Sequence, residues 1–172
     1  WGISPEHVIG IRDRVPDPED APPEDRDTHR QAIEYTGLTP GQPILGTPID
    51  EAFIGSCGEN RLGDLRAAAE VIRGRRVAPN VVAWVIPGSR GIKSDAEAEG
   101  IDQIFTQAGF EWREPGCSKC LASNGDYVPP GDRCISNSNR NFMGRQGRDA
   151  ITHIASTSMV AAAAIAGHIV DV

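Results

Sequence analysis

No run in this 172-residue chain is long and apolar enough to span a bilayer. The longest, Met159 to Gly167, falls well short of the roughly 20 residues a spanning helix needs. Basic charge is also lacking. The formal net charge is −7, so the chain offers no broad electrostatic footprint for nucleic acid or an anionic membrane. The opening residues, Trp1-Gly2-Ile3-Ser4-Pro5, carry neither a basic segment nor an apolar core, so no secretory signal is read and a cytoplasmic setting is expected. No G-x-G-x-x-G opens a helix, and there is no Walker sequence and no G-x-S-x-G. His7, His29, His153 and His168 include no pair at ligand spacing and are assigned to structure. The chain opens on Trp1 rather than Met, in what reads as mid-domain sequence, and is expected to be a piece of something longer.

With 39% hydrophobic and 24% charged residues, the composition is that of one globular domain. Nineteen glycines and 13 prolines predict many turns and close backbone approaches. Residues 13 to 27, acidic and proline-rich without apolar periodicity, read as an exposed, poorly ordered loop. A short helix is predicted over His29 to Tyr35, stopped by Gly37, and Pro40 to Pro48 reads as connector. The N-terminal part, 1–50, is therefore taken as an extension, and 51–172 as the main domain.

From residue 52 strands and helices alternate. Phe53-Ile54-Gly55-Ser56 reads as a strand entering a turn. Asn60 to Arg73 is the clearest helix, with Leu62, Leu65, Ala69 and Ile72 at helical spacing and Gly74 as its stop. Val81 to Ile86 is a buried-type strand broken by Pro87-Gly88-Ser89. Ser94, with Glu97 three residues on, predicts a capped helix ending at Gly100. Ile101 to Ala108 is a further helix, Phe110 to Trp112 a short strand, Ile151 to Ala155 a last strand, and Ser158 to Ala166 an alanine-rich helix. The alternation predicts an α/β fold: three α/β/α layers around a mostly parallel or mixed sheet. In such folds ligands collect beyond the carboxyl ends of the strands. The residues just past the predicted strands are Ser56-Cys57, Pro87-Gly88-Ser89 and Pro115-Gly116-Cys117, and two of these three sites carry cysteine.

Cys117 and Cys120 form a C-x-x-C, which suits either one metal centre or thiol redox chemistry. With Cys57 the set reaches three thiolates and one open position, as in an iron–sulfur cluster with a labile iron or in a catalytic zinc site. Cys134 as the fourth ligand of a structural zinc, and Cys57 as a plain buried residue, are the competing readings. Arg140 and Arg145, five apart in Ser138-Asn139-Arg140-Asn141-Phe142-Met143-Gly144-Arg145-Gln146-Gly147, suit the bidentate grip of a di- or tricarboxylate. On the residues alone, pairing with this acidic chain's own carboxylates at the surface is the favoured reading.

Five segments share one resemblance: Phe53 to Cys57, Val85 to Ser89, Ala108 to Cys120 (AGFEWREPGCSKC), Ser136 to Gly147 (SNSNRNFMGRQG) and Ala161 to Val172 (AAAAIAGHIVDV). They resemble the aconitase superfamily and, within it, the isopropylmalate isomerase large subunits, in the same order over nearly the whole chain. The resemblance implies a [4Fe–4S] cluster held by Cys57, Cys117 and Cys120, with Cys134 at no ligand position. It implies that Arg140, Arg145 and Asn139 bind a hydroxy-acid substrate beside the cluster. It further implies a hydro-lyase that interconverts 2-isopropylmalate and 3-isopropylmalate in leucine biosynthesis, partnered by a small subunit bearing the swivel domain. Acid–base residues are expected outside this chain, which alone is expected to show no turnover. Other hydratases of the superfamily (homoaconitase, dimethylmalate or citraconate hydratase), a non-catalytic metal-binding domain, and an iron-sensing or RNA-binding piece are the alternatives. Two departures are visible. Gly58-Glu59-Asn60 stands where the family usually has Thr-Asn-Ser, and Arg90 where it commonly has Gly.

Overall fold

The computed structural model describes residues 1–55 and 60–172. Five strands form one sheet: β1 (Glu51–Ile54), β2 (Val82–Val85), β3 (Glu111–Trp112), β4 (Arg133–Ser136) and β5 (Ile151–Ile154). Their order is β3-β2-β1-β4-β5, and every pairing is parallel. This is the expected α/β class. β1 is central and entirely buried, as a strand with two parallel neighbours and two covered faces must be.

Among the described residues, five α-helices accompany the sheet: α1 (Arg26–Thr36), α2 (Leu62–Ile72), α3 (Arg90–Ala98), α4 (Ile101–Ala108) and α5 (Thr157–Ala166). Helix α2 turns Leu65, Ala68, Ala69 and Ile72 inward as one stripe. It packs against α4 and against α5, whose run Ala161 to Ala164 is buried. The small alanine side chains let α5 lie against both α2 and β1. With Ala52, Ile54, Ala83, Val85 and Ile135 of the sheet, these helices build the main core. A second cluster joins Phe53, Ile86, Cys120, Val128, Cys134 and Ala150, with Trp84 beside it. Phe53, Trp84 and Cys134 alternate along their strands with the main-core residues, so this cluster lies on the other face of the sheet. It is covered there by the segments around Cys120, Val128 and Ala150.

Several boundaries differ from the sequence expectation. The segment 13–27, expected to be poorly ordered, is built into the fold. Val15 exchanges backbone hydrogen bonds with Gly41 and Gln42, Asp17 caps a 3-10 helix over Pro18–Asp20, and Val15, Pro18 and Ala21 are buried. Isolated apolar residues among acids leave no period to read, yet each finds a place in the core. Trp1, Ile3, Val15, Ala32, Leu38, Ile44 and Ile49 belong to the same core cluster as the sheet residues.

The expected Ser94 cap is not formed. Helix α3 begins at Arg90, where the Ser89 hydroxyl accepts from the Ile92 amide at 3.2 Å, and Ser94 is an exposed mid-helix residue. Gly91 is helical. Gly100, at φ 72°, joins α3 to α4 without a longer loop, in a conformation that costs a residue with a Cβ more. Strand β4 is an addition to the expected set. Only Cys134 and Ile135 of its four residues are apolar, and β4 draws its order from pairing with β1 and β5 on either side. In β2, Val82 is exposed and Trp84 half-buried, so the strand is less enclosed than its sequence suggests. Among the described residues no helix is long and apolar enough to cross a membrane.

Candidate metal centre

Because all strands run in parallel, their carboxyl ends share one edge. Gly55 follows β1, Ile86 to Ser89 follow β2, Arg113 to Cys117 follow β3, and Asn137 to Arg140 follow β4. Cys57, one of the predicted ligands, lies outside the described residues, as do Ser56, Gly58 and Glu59. The site is therefore built from what flanks them and what faces them.

Cys117 and Cys120 sit on one tight turn. A 3-10 helix spans Ser118–Leu121, and the Cys120 amide donates to the Cys117 carbonyl at 2.9 Å. Ser118 takes a left-handed conformation, φ 45°, which is strained for a residue with a Cβ. It is held there from two sides. Its hydroxyl donates to Asp126 Oδ2 at 2.7 Å, and its carbonyl accepts from the Ser123 amide at 3.1 Å. The other oxygen of Asp126 accepts from Arg113 Nη2 at 3.0 Å, tying the turn to the end of β3.

Lys119, between the two cysteines, points inward. It is 3% exposed, pairs with the equally buried Glu51 of β1, and lies 3.8 Å from the centre of the Trp84 ring. The Arg113 guanidinium stands 3.7 Å from the same ring. Burial pushes the Glu51 carboxyl up, and Lys119 opposes that shift. The turn carrying both thiols is thus anchored to the central strand by an ion pair shielded from water.

Cys120 and Cys134 differ in kind. Cys120 is buried, and its Sγ accepts from Arg145 Nη2 at 3.7 Å. Cys134 is fully enclosed, with its thiol donating to the Ile135 carbonyl at 3.5 Å. Burial first, and the Glu51 carboxylate second, push its pKa far up, so it stays a neutral thiol. That environment is wrong for a metal-binding thiolate.

The connection from β4 to β5 carries the predicted substrate residues, and the structure separates them. Arg145 is half-buried and reaches Cys120, while its buried Nε has no partner among the described residues. Arg140 and Asn139 are exposed at the end of β4, with Arg140 Nη1 donating to the Asn139 carbonyl at 2.7 Å. Asn139 also borders a cavity of about 340 Å³ that Trp1, His7 and Asn141 line. Gln146 and Asn141 are buried and brace the loop. Gln146 Oε1 accepts from Thr152 at 2.9 Å, and Asn141 Nδ2 donates to the Gly2 carbonyl at 2.9 Å.

Sequence reasoning passes over four residues that brace this region. Lys119 and Glu51 leave a signal, since a charged residue inside a C-x-x-C and another opening an apolar strand call for a common explanation. Asn60 and Asn137 leave none, because their part depends on contacts 77 residues apart. The Asn137 carbonyl oxygen accepts from the Gly55 amide at 2.9 Å, and its Nδ2 donates to Asn60 Oδ1 at 2.7 Å. His153, assigned to structure, is buried. Its enclosure and the Arg133 guanidinium hold it well below its usual range, with Nε2 2.6 Å from Arg133 Nη1.

Among the described residues no three His, Cys, Asp or Glu side chains gather into a metal-binding group. What they provide is two thiols on one turn, an arginine on one of the thiols, and the frame on either side of Cys57. This donor chemistry suits an iron–sulfur cluster, which is held by thiolates.

The sequence pattern of the aconitase family (aconitate hydratase) matches residues 1–167. The 3-isopropylmalate dehydratase large subunit 1 of Bradyrhizobium diazoefficiens is 64% identical over 173 aligned residues, which take in all of this chain and 36% of that protein. The chain thus spans about a third of the length of that relative. Among solved structures, the holo-form of aconitase X from Thermococcus kodakaraensis aligns with 53% of this chain and 22% of its own, at 24% identity and a TM-score of 0.41. With a family pattern running through the sheet, the C-x-x-C turn and the arginine loop alike, this chain belongs to the aconitase family.

Proposed function

We propose that this chain carries the cluster-binding part of a 3-isopropylmalate dehydratase large subunit. In this reading the whole enzyme is a hydro-lyase that interconverts 2-isopropylmalate and 3-isopropylmalate in leucine biosynthesis. The observation that carries the reading is the 64% identity, which takes in the entire chain. The geometry is consistent with it, since Arg145 reaches the C-x-x-C turn, which follows β3 in a parallel sheet.

Cys57, Cys117 and Cys120 would hold a [4Fe–4S] cluster. When bound, the cluster supplies a Lewis-acidic iron that stabilises hydroxide as it leaves the substrate. Arg140 and Arg145 would grip the substrate carboxylates, with Arg145 also donating to the Cys120 sulfur, and Asn139 would offer a polar contact at the rim. Lys119 fixes the turn from beneath. A small subunit bearing the swivel domain is the partner in this reading, and it closes the site from above, excludes water and brings a base.

The test is activity of the complete large subunit with its small subunit. Replacing Cys117 by Ser is expected to reduce dehydratase turnover to background, while Cys134→Ala keeps most of it. Activity that survives Cys117→Ser would overturn the assignment. Turnover of homocitrate, dimethylmalate or citraconate in place of isopropylmalate would move the enzyme to a sister hydratase.

A further inference from the structure

Resting on the cluster reading above, we infer that Asn137 is a positioning residue. Its side-chain amide ties Gly55 and Asn60, the residues on either side of 56–59, into one frame, and so fixes the ends from which Cys57 is presented.

Every hydrogen-bonding group of this amide is used. The oxygen accepts from the Gly55 amide at 2.9 Å. The nitrogen donates to Asn60 Oδ1 at 2.7 Å and to Thr157 Oγ1 at 3.0 Å. Asn60 continues the network. Its Nδ2 donates to the Ile86 carbonyl at 2.7 Å, and its own carbonyl accepts from the Gly88 amide at 3.1 Å. Gly88 must be glycine for this contact, since a Cβ there would lie 2.7 Å from the Asn60 carbonyl oxygen. One pair of asparagines thereby joins the carboxyl ends of β1, β2 and β4 to the start of α5. Asn60 is 1% exposed and Asn137 8%. A buried amide network of this kind is costly when half-satisfied and specifies a single geometry when complete.

Aspartate at 137 would keep the acceptor for Gly55 but lose both donors, so it separates the two halves of the bridge.

The experiment compares the chain, anaerobically reconstituted with iron and sulfide, as wild type, Asn137→Ala, Asn137→Asp and Leu65→Ala. Leu65→Ala is a destabilised control in the helix core. Cluster loss to a chelator is followed by visible absorption at a temperature where circular dichroism shows each variant folded. Loss of a supporting contact around metal ligands typically weakens binding by about 10- to 100-fold. Both Asn137 variants are expected to lose the cluster at least about tenfold faster than wild type, with Leu65→Ala near wild type. Without metal, amide exchange at Gly55 and Gly88 is expected to rise in Asn137→Ala and to stay unchanged in Leu65→Ala. Cluster retention by folded Asn137 variants equal to wild type, or matched loss in Leu65→Ala, would overturn the inference. If wild type takes up no cluster, the cluster reading fails. The exchange measurement then decides the bridge by itself, with unchanged protection in Asn137→Ala counting against it.

Discussion

Lys119 shows how one side chain can serve a site it does not face. It sits between two candidate ligands yet spends its charge on Glu51, 68 residues away in sequence at the start of the central strand β1. Breaking a buried pair from one side leaves an uncompensated charge, at a cost of about 3–5 kcal/mol, whereas replacing both partners by apolar groups is often close to neutral. Lys119→Met is therefore expected to destabilise the chain by that amount, and Lys119→Met with Glu51→Leu to recover most of it, measured by chemical denaturation. The single variant carries a pH signature as well. Glu51 is already pushed up by burial, and losing Lys119 raises it further. A carboxyl raised in the folded state binds more protons there than in the unfolded chain. Lys119→Met is thus most stable below the ordinary carboxylate range and loses stability as pH rises through the folded value. A single variant as stable as wild type across that range would mean that water reaches the pair.

At the scale of elements, the structure separates what periodicity reveals from what it hides. Helices α2 and α4 are legible because their apolar residues recur at helical spacing, α5 because of its alanine run, and glycines end all three. Strand β4 is not, since Arg133 and Ser136 bracket just two apolar residues and its order comes from neighbours distant in sequence. The start of α3 departs from expectation for a local reason. Ser94 and Glu97 have capping-box spacing, but Ser89, freed by Gly88 at the end of β2, reaches the Ile92 amide first. Losing an N-cap costs about 1 kcal/mol. Ser89→Ala is expected to show that loss by thermal or chemical denaturation, while the exposed Ser94→Ala stays near wild type. The reverse ranking would return the cap to Ser94.

For the whole molecule, the decisive feature is the parallel sheet, which brings residues from opposite ends of the chain to one edge. Contiguous motifs carry the family resemblance, so the C-x-x-C, the arginine loop and the fold class are all readable in the amino-acid sequence. The supports of the site are not, because Lys119–Glu51 and Asn60–Asn137 exist only once β1, β2 and β4 lie side by side. The contrast between Cys120, under an arginine, and Cys134, enclosed and neutral, likewise follows from packing rather than spacing. On the proposed reading this edge holds an iron–sulfur cluster rather than a structural zinc. Anaerobic reconstitution with iron and sulfide, followed by metal analysis and a visible spectrum, tests it most directly. The account predicts broad visible absorption, about four irons per chain and no zinc. Zinc without iron, or neither metal, would contradict it.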